Sequence, residues 1–426
     1  MKKFLYAPLS VCAFLGLSLP AFATNGYFSE GFGTANKSMA GAGVAFPTDA
    51  MGTAINPALM AHVGNQITLG VNLFMPDRGF TANTPSSTPA GVPFISPGTY
   101  ESSNDFFLIP YFGWNKMLDD NRSIGISVGG NGGMNTQYDS AVFGNFAAPG
   151  FTSSPTGVDM AQLFVGFNYA QKLDDHNTLG VAPILAVQRI EVTGLQPFTG
   201  VSASPDNVTN RGYDYSYGAG IKLGWYGPVN DWLSLGASIQ SKTYMTRFDK
   251  YRGLLAESGS FDIPPILQAG VAVKPTPAIT VAFDVQDLMF SNVKSIHNPN
   301  NVQLVPGNIY MGTDNGLGFG WDDMIVYKIG AQWTPTSEWA FRAGYSKGNE
   351  VIPGQQGLFN IIAPATVTDH ISLGAGWSFD AKNTINLAYI HAFDKSINGS
   401  SPNTPFQTGS LEMSQNSVEL GWTYKF

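Results

Sequence analysis

The chain has 426 residues, of which 12% are charged, 43% hydrophobic and 13% aromatic, with 22 basic against 30 acidic side chains and one cysteine. A charged share near half of the ~25% usual in soluble domains, beside 29 Phe, 17 Tyr and 8 Trp, excludes a disordered chain. The formal charge of −8 comes with no basic stripe, which excludes nucleic acid as a partner.

Residues 1–23 read as a secretory signal. Lys2 and Lys3 form a basic end, an apolar stretch runs from Phe4 to Leu19, and Ala21-Phe22-Ala23 supplies a small-x-small cleavage site. The mature chain is expected to begin at Thr24 and to lack cysteine, because Cys12 lies in the signal. Losing Lys2 and Lys3 takes the formal charge from −8 to −10, a mildly acidic surface that implies no partner. Residues 24–65 follow and do not alternate. They are glycine-rich yet carry Phe28, Phe32, Met39, Met51 and Ile55, which suits close packing inside something larger. Asn56 at a cap position, Pro57 in the first helical place, then Ala58 and a closing Gly64, predict a short helix.

Beyond residue 65 the pattern is period-two alternation, the mark of strands with two unlike faces. Tyr213, Tyr215, Tyr217, Ala219, Ile221, Leu223 and Trp225 make one greasy face, and the residues between them are polar or glycine. The same reading predicts fourteen strands, at 66–75, 105–116, 122–131, 157–172, 178–191, 212–226, 232–246, 261–274, 279–291, 323–334, 339–347, 367–379, 383–394 and 410–426. Short polar turns at 118–121, 174–177, 227–231, 275–278, 335–338 and 380–382 alternate with much longer loops rich in Asn, Ser, Pro and Gly. No apolar run of 18 or more residues follows the signal, so no membrane-spanning helix is expected.

Short turns on one side and long loops on the other predict an all-β fold, a 14-stranded antiparallel transmembrane barrel over residues 66–426. A soluble β-sandwich would also alternate, but it would place tryptophans at strand centres. Here Trp114, Trp225, Trp232, Trp333, Trp339, Trp377 and Trp422 fall at strand ends beside short turns or the C-terminus, as an interfacial girdle requires. The last residue, Phe426, closes an alternating strand in the manner of a barrel-assembly signal. A barrel of this size encloses more space than its own side chains fill, so residues 24–65 are expected to form a hatch of short helices inside it.

Within that N-terminal stretch, Gly31-Phe32-Gly33, then Ser38-Met39-Ala40-Gly41-Ala42-Gly43-Val44-Ala45, Asp49-Ala50 and Asn56-Pro57-Ala58-x-Met60 resemble the hatch of FadL-type long-chain fatty-acid transporters. That family also includes toluene-type hydrocarbon channels. The resemblance implies a monomeric outer-membrane channel that passes hydrophobic molecules by passive diffusion, with an apolar pocket at the hatch and a kinked third strand that opens the wall sideways. It assigns Asn56, Pro57 and Ala58 a gating role. The expected surroundings are outer-membrane lipid, lipopolysaccharide and the barrel-assembly machinery.

Independently of the resemblance, the alternation of Ile124, Ile126 and Val128 breaks into Gly129-Gly130-Asn131-Gly132-Gly133, and glycines inside a strand mark bulges or close approaches. Fatty-acid carriers of the family hold the carboxylate with basic side chains. The candidates here are Lys222 and Lys328, on polar strand faces, and Arg189 and Arg342, placed facing inward. His62, His176, His297, His370 and His391 form no spaced metal pair and no nucleophile motif, so neither catalysis nor a metal or other cofactor is expected. Uptake of monoaromatic hydrocarbons by the same route is the alternative to fatty acids, since it would need no cation. A polar porin or an adhesin barrel is the further alternative, although a porin would line its lumen with many charges.

Overall fold

A computed structural model describes residues 25–147, 153–305 and 307–426. The signal at 1–23, Cys12 and the expected first mature residue Thr24 lie outside the described residues. Fourteen long strands follow one another around a closed antiparallel barrel. They are β1 (Gln66–Ala82), β2 (Phe107–Met117), β3 (Arg122–Gln137), β4 (Gly157–Lys172), β5 (Thr178–Thr193), β6 (Asp214–Asn230) and β7 (Leu233–Gln240), then β8 (Ile266–Thr276), β9 (Ile279–Leu288), β10 (Met324–Trp333), β11 (Trp339–Gly348), β12 (Asp369–Ser378), β13 (Asn383–Ser401) and β14 (Thr404–Lys425). Two short accessory strands, Gly98–Glu101 and Tyr244–Met245, pair with the outer ends of β1 and β6. Closure is made by β1 and β14, which pair from Gln66 opposite Lys425 to Ala82 opposite Gly409. A closed ladder leaves no edge strand and satisfies the backbone in hydrocarbon, where each orphan polar group would cost several kcal/mol.

Burial alternates along the strands as the sequence does. On β6 the side chains of Tyr215, Tyr217, Ile221 and Leu223 face out and are exposed, whereas Ser216 and Lys222 face in and are buried. Trp232, Trp333, Trp339, Trp377 and Trp422 are exposed at the short-turn end, Trp114 and Trp225 are half-buried, and Trp321 alone is enclosed. Trp339 stacks on Trp377 with ring centroids 6.0 Å apart, so the belt is continuous between β11 and β12.

Five strands differ from the sequence expectation by six residues or more at one end, beginning with β1, which was expected to stop at 75 and runs to Ala82. β3 does not end in its glycines but continues to Gln137. β13 and β14 are longer than expected and meet in a tight hairpin, because their outer residues, Asn398-Gly399-Ser400-Ser401 and Thr408-Gly409-Ser410, are small and polar and hide the alternation. β7 ends at Gln240, and the chain then turns inward to bury Phe248, Tyr251 and Phe261 within the main apolar core.

Candidate transport site

Residues 25–65 lie against the lumen faces of the strands. The expected helix after Asn56 is present as a 3-10 helix, Pro57–His62. The Asn56 side chain does more than cap it. Its Oδ1 accepts the Ala58 N–H at 3.1 Å, while Nδ2 donates to the Val44 carbonyl and to the Trp225 carbonyl of β6, each at 2.8 Å. The strand backbone is approached so closely here that a Cβ at Gly180 or Gly224 would overlap Pro57 or Asn56, which explains glycine at those lumen positions. Asp49 caps a second 3-10 turn, Ala50–Ala54, by accepting from Met51 N. A short α-helix, Thr34–Lys37, completes the set.

Buried acids on the wall tie this segment down, and the sequence did not single them out. Asp284 of β9 accepts from the backbone of Gly43 and Val44 at 2.8 and 2.9 Å. Glu419 of β14 pairs with Lys37 at 2.9 Å and accepts from the Thr34 hydroxyl at 3.0 Å. Both are lone acids on inward-facing strand positions, and that parity was their only signal. Outside the spanning strands, burial pushes the Asp49 carboxyl up to about 6, against the pull of the Met51 N–H. Burial, helped by the Lys172 charge, lowers His62 to about 4. The His62 ring meets the Thr178 hydroxyl at 2.8 Å.

The third strand has an interrupted neighbour. The β2–β3 ladder stops where Phe112 meets Val128, whereas the β3–β4 ladder runs on to Gln137 opposite Gly157. Register shifts between Gly130 and Gly132, leaving Asn131 as the bulged residue with its amide on Gln162 Oε1 at 2.9 Å. Above the interruption the wall is rejoined, by Ser103 N donating to Gln137 O at 2.8 Å and Asn104 Nδ2 to Asn135 Oδ1 at 2.6 Å. Between these limits β2 and β3 share no ladder, so the window between them is a gap in backbone pairing. Its β3 edge is taken from the lumen side by the N-terminal segment, through Ser29 N to Asn131 O at 3.1 Å and Gly133 N to Tyr27 O at 2.9 Å. A Cβ at Gly132 would strike the Tyr27 carbonyl.

Beside the window lies a small apolar cavity of about 40 Å³. Met134 of β3, Met160, Ile190, Phe261, Met311 and Phe319 are among its lining residues. Phe261 packs 6.1 Å from Tyr27, and Tyr27 stacks on Phe28 at 4.5 Å, so the cavity, the N-terminal segment and the window are contiguous.

Of the basic candidates, Lys222 and Lys328 line one small pocket against the N-terminal segment, whereas Arg189 and Arg342 stand apart. Lys222 and Lys328 face the lumen, but their ammonium groups donate to the carbonyls of Ala54 and Glu30 in the N-terminal segment. Arg342 also faces in, near the short-turn end, bonded to Gln332 at 2.6 Å and Asn386 at 3.0 Å. Arg189 corrects the expectation: its position in the alternation of β5 puts it on the outer face, where it pairs with Asp159 at 3.1 Å and lies over the Tyr213 ring. Among the described residues no cluster of three or more His, Cys, Asp or Glu could hold a metal ion.

A family model described as outer membrane protein transport protein (OMPP1/FadL/TodX) matches residues 20–426. The chain belongs to this family. It is therefore an outer-membrane barrel of a transport family rather than of an enzyme family. No curated protein sequence matches it. Among solved structures, the P. putida toluene transporter TodX superposes with a TM-score of 0.70 at 18% identity, covering 93% of this chain and 99% of that one. A Pseudomonas aeruginosa FadL homologue gives 0.68 at 16% identity, with 94% and 100% covered. The Ralstonia pickettii toluene transporter TbuX gives 0.64 at 17% identity, with 93% and 99% covered. At these identities the likeness is one of fold.

Proposed function

We propose that this member of the OMPP1/FadL/TodX family is a passive channel for hydrophobic molecules, long-chain fatty acids foremost, that leave the lumen sideways through the window between β2 and β3. The observation that carries the reading is the contiguity of the apolar cavity with an interrupted wall ladder. An apolar solute gains by staying out of water, and a side exit spares it the polar end of the barrel. Residues 24–65 act as a hatch with Asn56, Pro57 and Ala58 as its hinge, and Gly129, Gly130, Asn131, Gly132 and Gly133 form the yielding edge. Lys222 and Lys328 act as anchors of that hatch, because their hydrogen bonds go to its backbone. Monoaromatic hydrocarbons are the second reading, favoured by a cavity whose lining is almost wholly apolar. The chain acts as a monomer, without catalysis or cofactor, among outer-membrane lipid and lipopolysaccharide. A polar porin fits poorly with a lumen filled by a tethered segment. Uptake of radiolabelled oleate, toluene and a sugar in cells lacking the protein, and again with it restored, tests the reading. Restoration of oleate or toluene uptake alone is expected, and restoration of sugar uptake alone would overturn it.

A further inference from the structure

We infer that Arg78 is an anion-recognition residue at the upper edge of the window, which favours hydrophobic molecules bearing a carboxylate over neutral ones. The inference rests on the sideways route proposed above and names the chemistry that route selects.

Four Lys or Arg side chains are buried among the described residues: Lys37, Arg78, Lys222 and Lys328. Lys37 has Glu419, and the other two lysines have hatch carbonyls. Arg78 is only 2% exposed, and its Nη1 donates to the Asn135 carbonyl, but Nε and Nη2 meet no acceptor. No salt bridge to it occurs among the described residues. A buried guanidinium with no counter-charge and two idle donors is costly, and an apolar side chain would brace the same place at less expense. The missing partner is an acceptor that carries negative charge.

Position says which acceptor. Arg78 stands on the lumen side of β1, beyond the last β1–β2 pair at Phe74 and Phe107. The rings of Phe74 and Phe107 lie 5.8 and 5.9 Å from its guanidinium carbon. The Asn135 carbonyl it holds belongs to the residue after Met134, which lines the apolar cavity. A fork of two N–H donors beside aromatic rings and an apolar cavity matches an amphiphile with a planar carboxylate head and a hydrocarbon tail. Phe107, half-buried at the free end of β2, can turn aside to admit the head without breaking a β2–β3 bond.

The test uses the full-length protein in cells and compares uptake of oleate with that of methyl oleate, for wild type, Arg78→Gln and Arg78→Lys. Because a charge-assisted hydrogen bond is worth more than a neutral one, Arg78→Gln is expected to lower the oleate to methyl oleate ratio by about tenfold, with Arg78→Lys restoring part of it. Heat-modifiable migration on gels verifies that each variant folds. An unchanged ratio, whether both rates fall or neither does, overturns the inference and leaves the channel reading standing. Wild-type protein that carries neither compound sinks the channel reading, and the inference with it.

Discussion

Asn56 joins the N-terminal segment to the wall through the Trp225 carbonyl and ties the segment to itself through Ala58 and Val44. Replacing it with Ala removes the cap on Ala58, worth about 0.5–2 kcal/mol, and leaves the Val44 and Trp225 carbonyls without their donors. Amide exchange at residues 58–62 should quicken in Asn56→Ala while the barrel still migrates as folded. Unchanged protection at Ala58 would show that the bonds from Asn56 contribute nothing to holding the hatch. The residues of this motif were legible in the sequence, since Asn, Pro and a closing Gly state their local roles. The reach of Asn56 to Trp225 was not, because it spans 169 positions. Arg78 was missed for a related reason. The expected strand stops at 75, before Pro76-Asp77-Arg78-Gly79, yet the chain continues as strand, since Pro76 and Asp77 are paired only toward β14 and a proline is tolerated on the unpaired side.

The short elements of the hatch carry two titrating groups with opposite effects. His62 is lowered to about 4, so the docked hatch binds fewer protons than the free segment, and docking weakens as pH falls from its ordinary 6.5 toward 4. Asp49 is raised to about 6, so the docked hatch binds more protons, and docking weakens as pH rises from 3.8 toward 6. The wild-type profile should therefore be shallow between pH 4 and 6.5. In His62→Gln, amide protection of residues 50–62 should fall as pH rises across that window, and in Asp49→Asn it should rise. Parallel profiles in both variants would contradict the burial assigned to these groups. At the same scale, the run Gly129 to Gly133 located the irregular strand from sequence alone. What pairs with it could not be read there, because Tyr27 to Ser29 bind through backbone atoms, which leave no side-chain pattern.

The barrel as a whole was the most legible level, because closure demands one repeated rule, apolar out and small or polar in, along every strand. β12 shows it in ten residues, with Ile371 and Leu373 exposed and His370 and Ser372 buried. The belt around it was equally open to reading, since Trp333, Trp339 and Trp377 need only be near strand ends to share one level. The interior was less so: Asp284 and Glu419 differ from other inward polar residues only in what the hatch brings to them. The window is the central claim, since it alone separates a sideways exit from an axial one. Valine at both Gly129 and Gly130 stiffens this edge and favours regular pairing with β2; a Cβ at Gly129 meets Met51 and Tyr111 only at 3.6 Å, so the fold should tolerate it. The most direct measurement is oleate uptake by cells carrying Gly129→Val with Gly130→Val, alongside gel migration of the unboiled protein. A folded barrel with markedly reduced uptake is the expected result, and a folded barrel with wild-type uptake would contradict the sideways route.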